Sequence, residues 1–232
     1  MKKTVLMFGS IGVVVETSEI QRQAYNQAMH EAGLTWNWDP ATYSELLLQS
    51  GGKERLAHLA AATKTDLSQA AIDRIHTRKT ELACARMVSE GTRPRAGVAE
   101  LIGLAKARGI KLAFVTTTYQ PNIDAVFASV GDAFSKEDFD HITARTDFGR
   151  GKPYPDAYLV ALKALSAEPH EALAIEDTAL SIMSAKRAGV TVVATPGLLT
   201  AEQDFWQADL VLTALADDGT LDPRLLAIVE GQ

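Results

Sequence analysis

The sequence predicts an α/β fold: a parallel β-sheet covered by helices on both faces, with an all-helical segment inserted after its first strand. Three observations carry that expectation. Thr4-Val5-Leu6-Met7-Phe8 is a short run of β-formers cut off by Gly9-Ser10-Ile11-Gly12, which reads as a central strand breaking into a loop. From Val98 onward, apolar strand-like runs alternate with helical patterns of about 10–15 residues, the rhythm of a parallel sheet. Between Ser18 and Ser89 the apolar spacing is helical throughout.

Taken in order, Ile20, Tyr25, Ala28 and Met29 recur at helical spacing over residues 18–31, and Gly33 ends that helix. Asp39-Pro40 caps and opens a second helix that carries Tyr43, Leu46 and Leu47 and reaches Gln49. Gly51-Gly52 breaks it, and Leu56, Leu59 and Ala60 mark a third. Residues 67–89 form the longest pattern, with Ile72, Ile75, Leu82 and Met87 as its apolar positions. Gly91-Thr92-Arg93-Pro94-Arg95-Ala96-Gly97 is the return crossing, rich in turn residues. Beyond it, helices are expected over 98–107, 121–130, 155–165, 179–188 and 221–229. Strands are expected over 110–115, 139–142, 172–175, 190–194 and 210–212.

Composition narrows the function classes. At 232 residues, with 47% apolar and 22% charged residues, the chain has the make-up of a soluble globular protein large enough for a full core. Its 23 basic residues against 29 acidic ones give a net charge of −6, which argues against a nucleic-acid surface while leaving room for a local basic pocket. No apolar run approaches the ~18 residues of a membrane span. The start of the chain enters a strand without an export signal, so a cytoplasmic protein is expected. The single cysteine, Cys84, has no intrachain partner and is expected to be a packed thiol.

If the strands are parallel, four polar clusters share the sheet's C-terminal rim, where open α/β sheets hold ligands. These are Gly9-Ser10-Ile11-Gly12, Thr116-Thr117-Thr118, Arg150-Gly151-Lys152-Pro153 and Glu176-Asp177-Thr178. Threonine hydroxyls, backbone N–H groups and a lysine suit a phosphate, and adjacent Glu and Asp suit a hard cation.

The order of these clusters resembles the haloacid-dehalogenase-like phosphohydrolase superfamily, in its branch with a helical cap, and is most similar to the CbbY-like sugar-bisphosphate phosphatases. The resemblance rests on the first-strand loop ending in Glu16-Thr17, on Thr116, on Lys152-Pro153, on Glu176-Asp177 before a helix ending in Ala188-Gly189, and on Gly51-Gly52-Lys53-Glu54-Arg55. It implies a Rossmannoid three-layer core of residues 1–16 and 92–232 and a cap of residues 17–91. It also implies Mg²⁺-dependent hydrolysis, phosphate contacts from Thr116, Thr117 and Lys152, metal contacts from Glu176 and Asp177, and substrate contacts from Glu16, Arg22, Lys53 and Arg55.

One motif departs from the pattern. The family's first loop carries an Asp that attacks phosphorus and a second Asp that exchanges protons; the matching positions here are Gly9 and Ile11, and the motif threonine is Val13. Gln21 stands where related mutases have histidine. A hydrogen cannot replace an attacking oxygen, and acid–base help is commonly worth ~10²–10⁴ in rate. Ser10 is no substitute if the loop is extended, because its side chain would then point away from those of Gly9 and Ile11. The remaining Mg²⁺ site is weakened. Three readings stand: a pseudoenzyme that binds a phosphorylated small molecule, a hydrolase with altered activity and Glu176, Asp177 or Glu16 as base, and a regulatory or structural partner protein. No nucleic-acid or membrane partner is expected.

Overall fold

The computed structural model describes residues 1–49 and 51–232. β1 (Val5–Phe8) pairs in parallel with β2 (Lys111–Phe114) on one side and with β4 (Ala172–Glu176) on the other. β3 (His141–Ile142) extends the sheet beyond β2, and β5 (Thr191–Ala194) and β6 (Leu210–Val211) extend it beyond β4. The strand order is β3-β2-β1-β4-β5-β6, so the chain builds outward first on one side of β1 and then on the other. Phe8 lies level with Phe114 and Ile175, which puts Gly9, Val115 and Glu176 at one height on the rim. The switch of direction falls between β1 and β4, where loops of such sheets part to form a crevice.

Alternation along β1 explains its continuous apolarity. Val5 and Met7 enter the layer packed by α7 (Asp156–Leu165) and α8 (Ala179–Arg187). Leu6 and Phe8 enter the opposite layer, with α5 (Val98–Ala107), α6 (Gln120–Ser129) and α9 (Pro223–Glu230). That second layer holds Phe8, Phe114, Phe127, Phe134 and Phe139 in tilted and edge-on contact, with ring centroids 5.1–6.3 Å apart.

Between β1 and α5 lie α1 (Ser18–Glu31), α2 (Pro40–Leu46), α3 (Gly52–Ala62) and α4 (Gln69–Glu90). They share their own apolar cluster, centred on Tyr25, Trp38 and Tyr43 with Met29, Leu56, Ile72 and Ile75 around them. Asp39 caps α2 as its position suggests, its Oδ1 accepting from the Thr42 amide at 2.7 Å, and Ser68 caps α4. α4 reaches further and also packs along α6. The half-buried Cys84 thiol lies there, 3.5 Å from the Pro121 carbonyl. The two crossings run side by side: Val15 bridges Pro94, and the Arg95 amide donates to the Val14 carbonyl at 3.0 Å. A second tie comes from the loop after β5, where Leu199 packs against the helical cluster and Ser44 Oγ donates to its carbonyl at 2.7 Å.

Two local expectations change. The second helix stops at Leu46 rather than Gln49, because the Leu48 and Gln49 amides bond to the carbonyls three residues back and wind into a turn. A hairpin of β7 (Ala216–Asp217) and β8 (Thr220–Leu221) precedes α9, turning at Asp218-Gly219 with both residues at positive φ. Asp-Gly is a strong two-residue hairpin signal, masked here by strands too short to show alternation. No helix among the described residues is long and apolar enough to cross a membrane.

Phe139 meets four other rings of the aromatic layer. Phe139→Ala is expected to destabilise the fold by about 3–5 kcal/mol, read as a drop in the urea midpoint with an unchanged slope.

Candidate functional site

The loops leaving β1, β2 and β4 face the four-helix group across a cavity of about 600 Å³. Its sheet side is lined by Ser10, Ile11, Thr116, Thr117, Thr118, Lys152, Glu176 and Asp177. Gln21, Tyr25, Tyr43, Lys53, Arg55, His76 and Lys79 line it from the helices, and Arg145 and Arg150 from the loops around β3.

Hydroxyl groups order the β2 end of the floor. Thr116 is buried at the end of the strand, its amide donating to Thr143 Oγ1 at 2.9 Å. Its own Oγ1 lies 2.9 Å from Ser10 Oγ and accepts from the Thr118 amide at 3.1 Å. The β1 loop is bent rather than extended, so Ser10 does not turn away: it lines the cavity together with Ile11.

The β4 end is ionic. Glu176 closes the strand at 1% exposure, and its Oε1 accepts from Lys152 Nζ at 2.7 Å and from the Tyr158 hydroxyl. Lys152 Nζ also donates to Ser181 Oγ at 3.0 Å. Burial, and then the neighbouring Glu176 charge, push Asp177 up to about 8. The same two influences hold the Tyr158 phenol well above its ordinary range. Asp177 packs against Gly12, whose φ of +82° and close approach to that carboxylate leave no room for a side chain.

The helical side is cationic and largely buried. Arg55 reaches Tyr43 OH at 3.4 Å, and its Nε has no partner among the described residues. Lys53 pairs with Asp73 at 2.8 Å. Lys79 donates to Gln21 Oε1 and sits 4.7 Å above the Tyr25 ring. Burial first, then the Arg55 charge, lower Lys79 to about 7. His76 falls to about 4, chiefly by burial and then by Lys79.

Of the residues singled out in the sequence, Thr116, Thr117, Lys152, Glu176, Asp177, Lys53 and Arg55 come together around this cavity, and Glu16 and Arg22 do not. Arg22 is taken up by Glu19 and the Trp38 carbonyl. Glu16 accepts from the Ser18 and Leu198 amides, both at 2.8 Å, and so ties the crossing to the β5 loop. Lys79, His76 and Tyr158 escaped the sequence reading. Lys79 had one visible signal: it falls on the apolar stripe of its helix, four residues after Ile75.

With this architecture in view, the comparisons with known proteins are direct. A model described as haloacid dehalogenase-like hydrolase matches residues 7–189, and the chain belongs to that family. It is 38% identical to Protein CbbY of Cereibacter sphaeroides over 216 residues, covering 93% of this chain and 94% of that one. It is also 38% identical to Protein CbbY of Rhodobacter capsulatus, covering 90% and 92%. A crystal structure of a CbbY mutant from Rhodobacter sphaeroides in complex with xylulose-(1,5)bisphosphate superposes with a TM-score of 0.89 at 36% identity, covering 98% of this chain and 99% of that one. β-Phosphoglucomutase from Clostridium difficile, at 20% identity and a TM-score of 0.76, shares the fold.

The donor set for the Mg²⁺ that the resemblance implies is reduced to two adjacent carboxyl groups, Glu176 and Asp177. Mg²⁺ demands a near-octahedral oxygen shell and gives up water reluctantly. Among the described residues, no group of three or more His, Cys, Asp or Glu comes together. Glu176 is committed through Oε1 to a lysine and a tyrosine, and among the described residues its buried Oε2 has no partner, which leaves that oxygen open to a ligand.

The Lys79 shift has a measurable consequence. Its folded pKa of about 7 lies below the ordinary 10.5, so between those values the native state holds fewer protons than the unfolded chain. Stability contributed at this position therefore climbs as pH rises through that window. Lys79→Met is expected to flatten the rise and to stabilise the protein at about pH 6 by of order 2–4 kcal/mol, measured by urea unfolding at about pH 6 and about pH 9. An unchanged difference between the two pH values would contradict it.

Proposed function

We propose that this protein is a catalytically silent relative of the sugar-phosphate phosphatases that binds a phosphorylated sugar between its sheet rim and its helices. One observation carries the reading. The loop after β1 offers Gly9 and Ile11 where hydrolysis by the family's route needs two carboxylates, yet the hydroxyl and cationic groups around the cavity are in place. Thr116 donates its hydroxyl and Thr117 its amide to a phosphate, and Lys152 adds a charge-assisted contact. Lys53 and Arg55 receive the far end of the ligand. The xylulose-(1,5)bisphosphate complex of the related CbbY mutant supports the ligand class.

In this reading residues 17–91 act as a cap on a core of residues 1–16 and 92–232, hinged at Glu16-Thr17 and Arg93-Pro94, and the protein works in the cytoplasm. No proton or phosphoryl group is handed to Gly9 or Ile11. These residues leave bare backbone and an apolar side chain beside the bound phosphate, so the ester bond stays intact.

A second reading draws on Asp177. A carboxyl group raised to about 8 exchanges protons near neutral pH, which suits an altered hydrolase whose attacking water is activated at this end of the floor.

Calorimetry with xylulose 1,5-bisphosphate and with sugar monophosphates separates the two readings when run beside an inorganic-phosphate release assay. Saturable heat without release is expected, with affinity lowered roughly tenfold or more in Arg55→Gln. Absence of heat with every sugar phosphate would end the binding reading. Sustained phosphate release that is abolished by Asp177→Asn would establish the hydrolase instead.

A further inference from the structure

Lys79 lines the cavity from α4, is buried, and takes no part in the phosphate contacts proposed above. Its amine donates to Gln21 Oε1 and lies 4.7 Å above the Tyr25 ring, and among the described residues no carboxylate is bonded to it. The titratable groups around it are Arg55, His76, Tyr25 and Cys84. Arg55 is cationic, burial takes His76 down to about 4, and burial lifts both the Tyr25 phenol and the Cys84 thiol, so none of the four supplies a negative charge at neutral pH. Burial, then the Arg55 charge, lowers Lys79 itself to about 7, which leaves much of it an uncharged, nucleophilic amine.

Gln21 adds a second group beside it. Gln21 is buried on α1, its Oε1 holds the amine, and its Nε2 has no partner among the described residues. The two atoms belong to one amide, so an unpaired donor sits next to a nitrogen that can attack. A ketone oxygen received by that donor brings its carbon up to the amine, and the hydrogen bond strengthens as the oxygen gains charge. Gln21 Nε2 thereby gains the partner it lacks.

The inference rests on the sugar-phosphate reading for its ligand. A 2-ketopentose closes its ring through the C5 hydroxyl. With that hydroxyl esterified, as in xylulose 1,5-bisphosphate, the chain stays open and its ketone is free. We propose that Lys79 condenses reversibly with the ketone of an open-chain ketose phosphate, with Gln21 holding the carbonyl oxygen. Nζ bonds to the carbonyl carbon, the π pair passes to oxygen, and one amine proton follows it to give a carbinolamine. The C–O bond then breaks, hydroxide leaves with the second amine proton as water, and an imine remains. No oxidant or reductant enters, and the phosphate esters are untouched. The ligand is held covalently until water reverses the step.

Trapping with sodium cyanoborohydride at neutral pH reads the step, because this reagent reduces an imine to a stable secondary amine in preference to a free ketone. With xylulose 1,5-bisphosphate and the wild-type protein, one adduct is expected on the peptide that holds Lys79, at a yield roughly tenfold or more above that of any exposed lysine. It is expected to disappear in Lys79→Met and in Lys79→Arg, the second of which keeps the positive charge. Gln21→Glu sets a carboxyl group against the amine and removes the donor, so the yield falls; an unchanged yield overturns the part given to Gln21. Saturable heat from the bisphosphate with no adduct, or labelling no greater at Lys79 than at exposed lysines, overturns the proposal. Dihydroxyacetone, a ketone without phosphate, keeps that failure apart from failure of the sugar-phosphate reading. If no sugar phosphate gives heat, preferential trapping of dihydroxyacetone on Lys79 still supports the nucleophile, and its absence overturns it.

Discussion

Leu6 and Phe8 face one apolar layer while Val5 and Met7 face the other, and all four are buried. A slip of one residue would move each pair into the opposite layer, so the strand is pinned in register by packing on both sides at once. Its neighbours β2 and β4 are pinned to it by shared ladders. The height of Gly9, Thr116 and Glu176 on the rim is thus a consequence of burial several residues away. The site inherits its geometry from the sheet's interior.

That dependence explains what the sequence made legible. Strand positions showed through because buried parallel strands are apolar without interruption, as in 172–175, and the helices showed through their spacing and through the Asp39 cap. Rim residues followed from strand ends, which is how Thr116, Lys152, Glu176 and Asp177 were found. Less legible were side chains whose placement depends on neighbours far along the chain. Tyr158 falls within the expected helix 155–165 with nothing in the spacing to mark it, yet its hydroxyl meets Glu176. Arg22 looked available and is consumed locally by Glu19. Ser10 was misplaced because an extended loop was assumed where the chain bends. The likeness to a family supplied the ligand class, which spacing and composition alone did not contain.

The cavity divides its charge unevenly. On the sheet side, one lysine balances Glu176 and a second carboxyl group, Asp177, is held toward its neutral form. On the helical side, Arg55 and Lys79 have no carboxylate bonded to them among the described residues, and burial, then the Arg55 charge, loosens the hold of Lys79 on its proton. Both are bonded only to neutral oxygens, Arg55 to the Tyr43 hydroxyl and Lys79 to Gln21 Oε1, and burying charge without a counter-charge costs stability.

Leu199 belongs in sequence to the β5 loop but in space to the aromatic cluster of the helical group, and Ser44 grips its carbonyl. Glu16 anchors the same loop through the Leu198 amide, right beside the crossing. Helices leaving the sheet would have to drag this tether along or tear it loose, exposing a leucine to water as they went. The loop after β5 is thus fastened to the helical group on one side and to the crossing on the other, and it contributes Thr200 to the cavity wall.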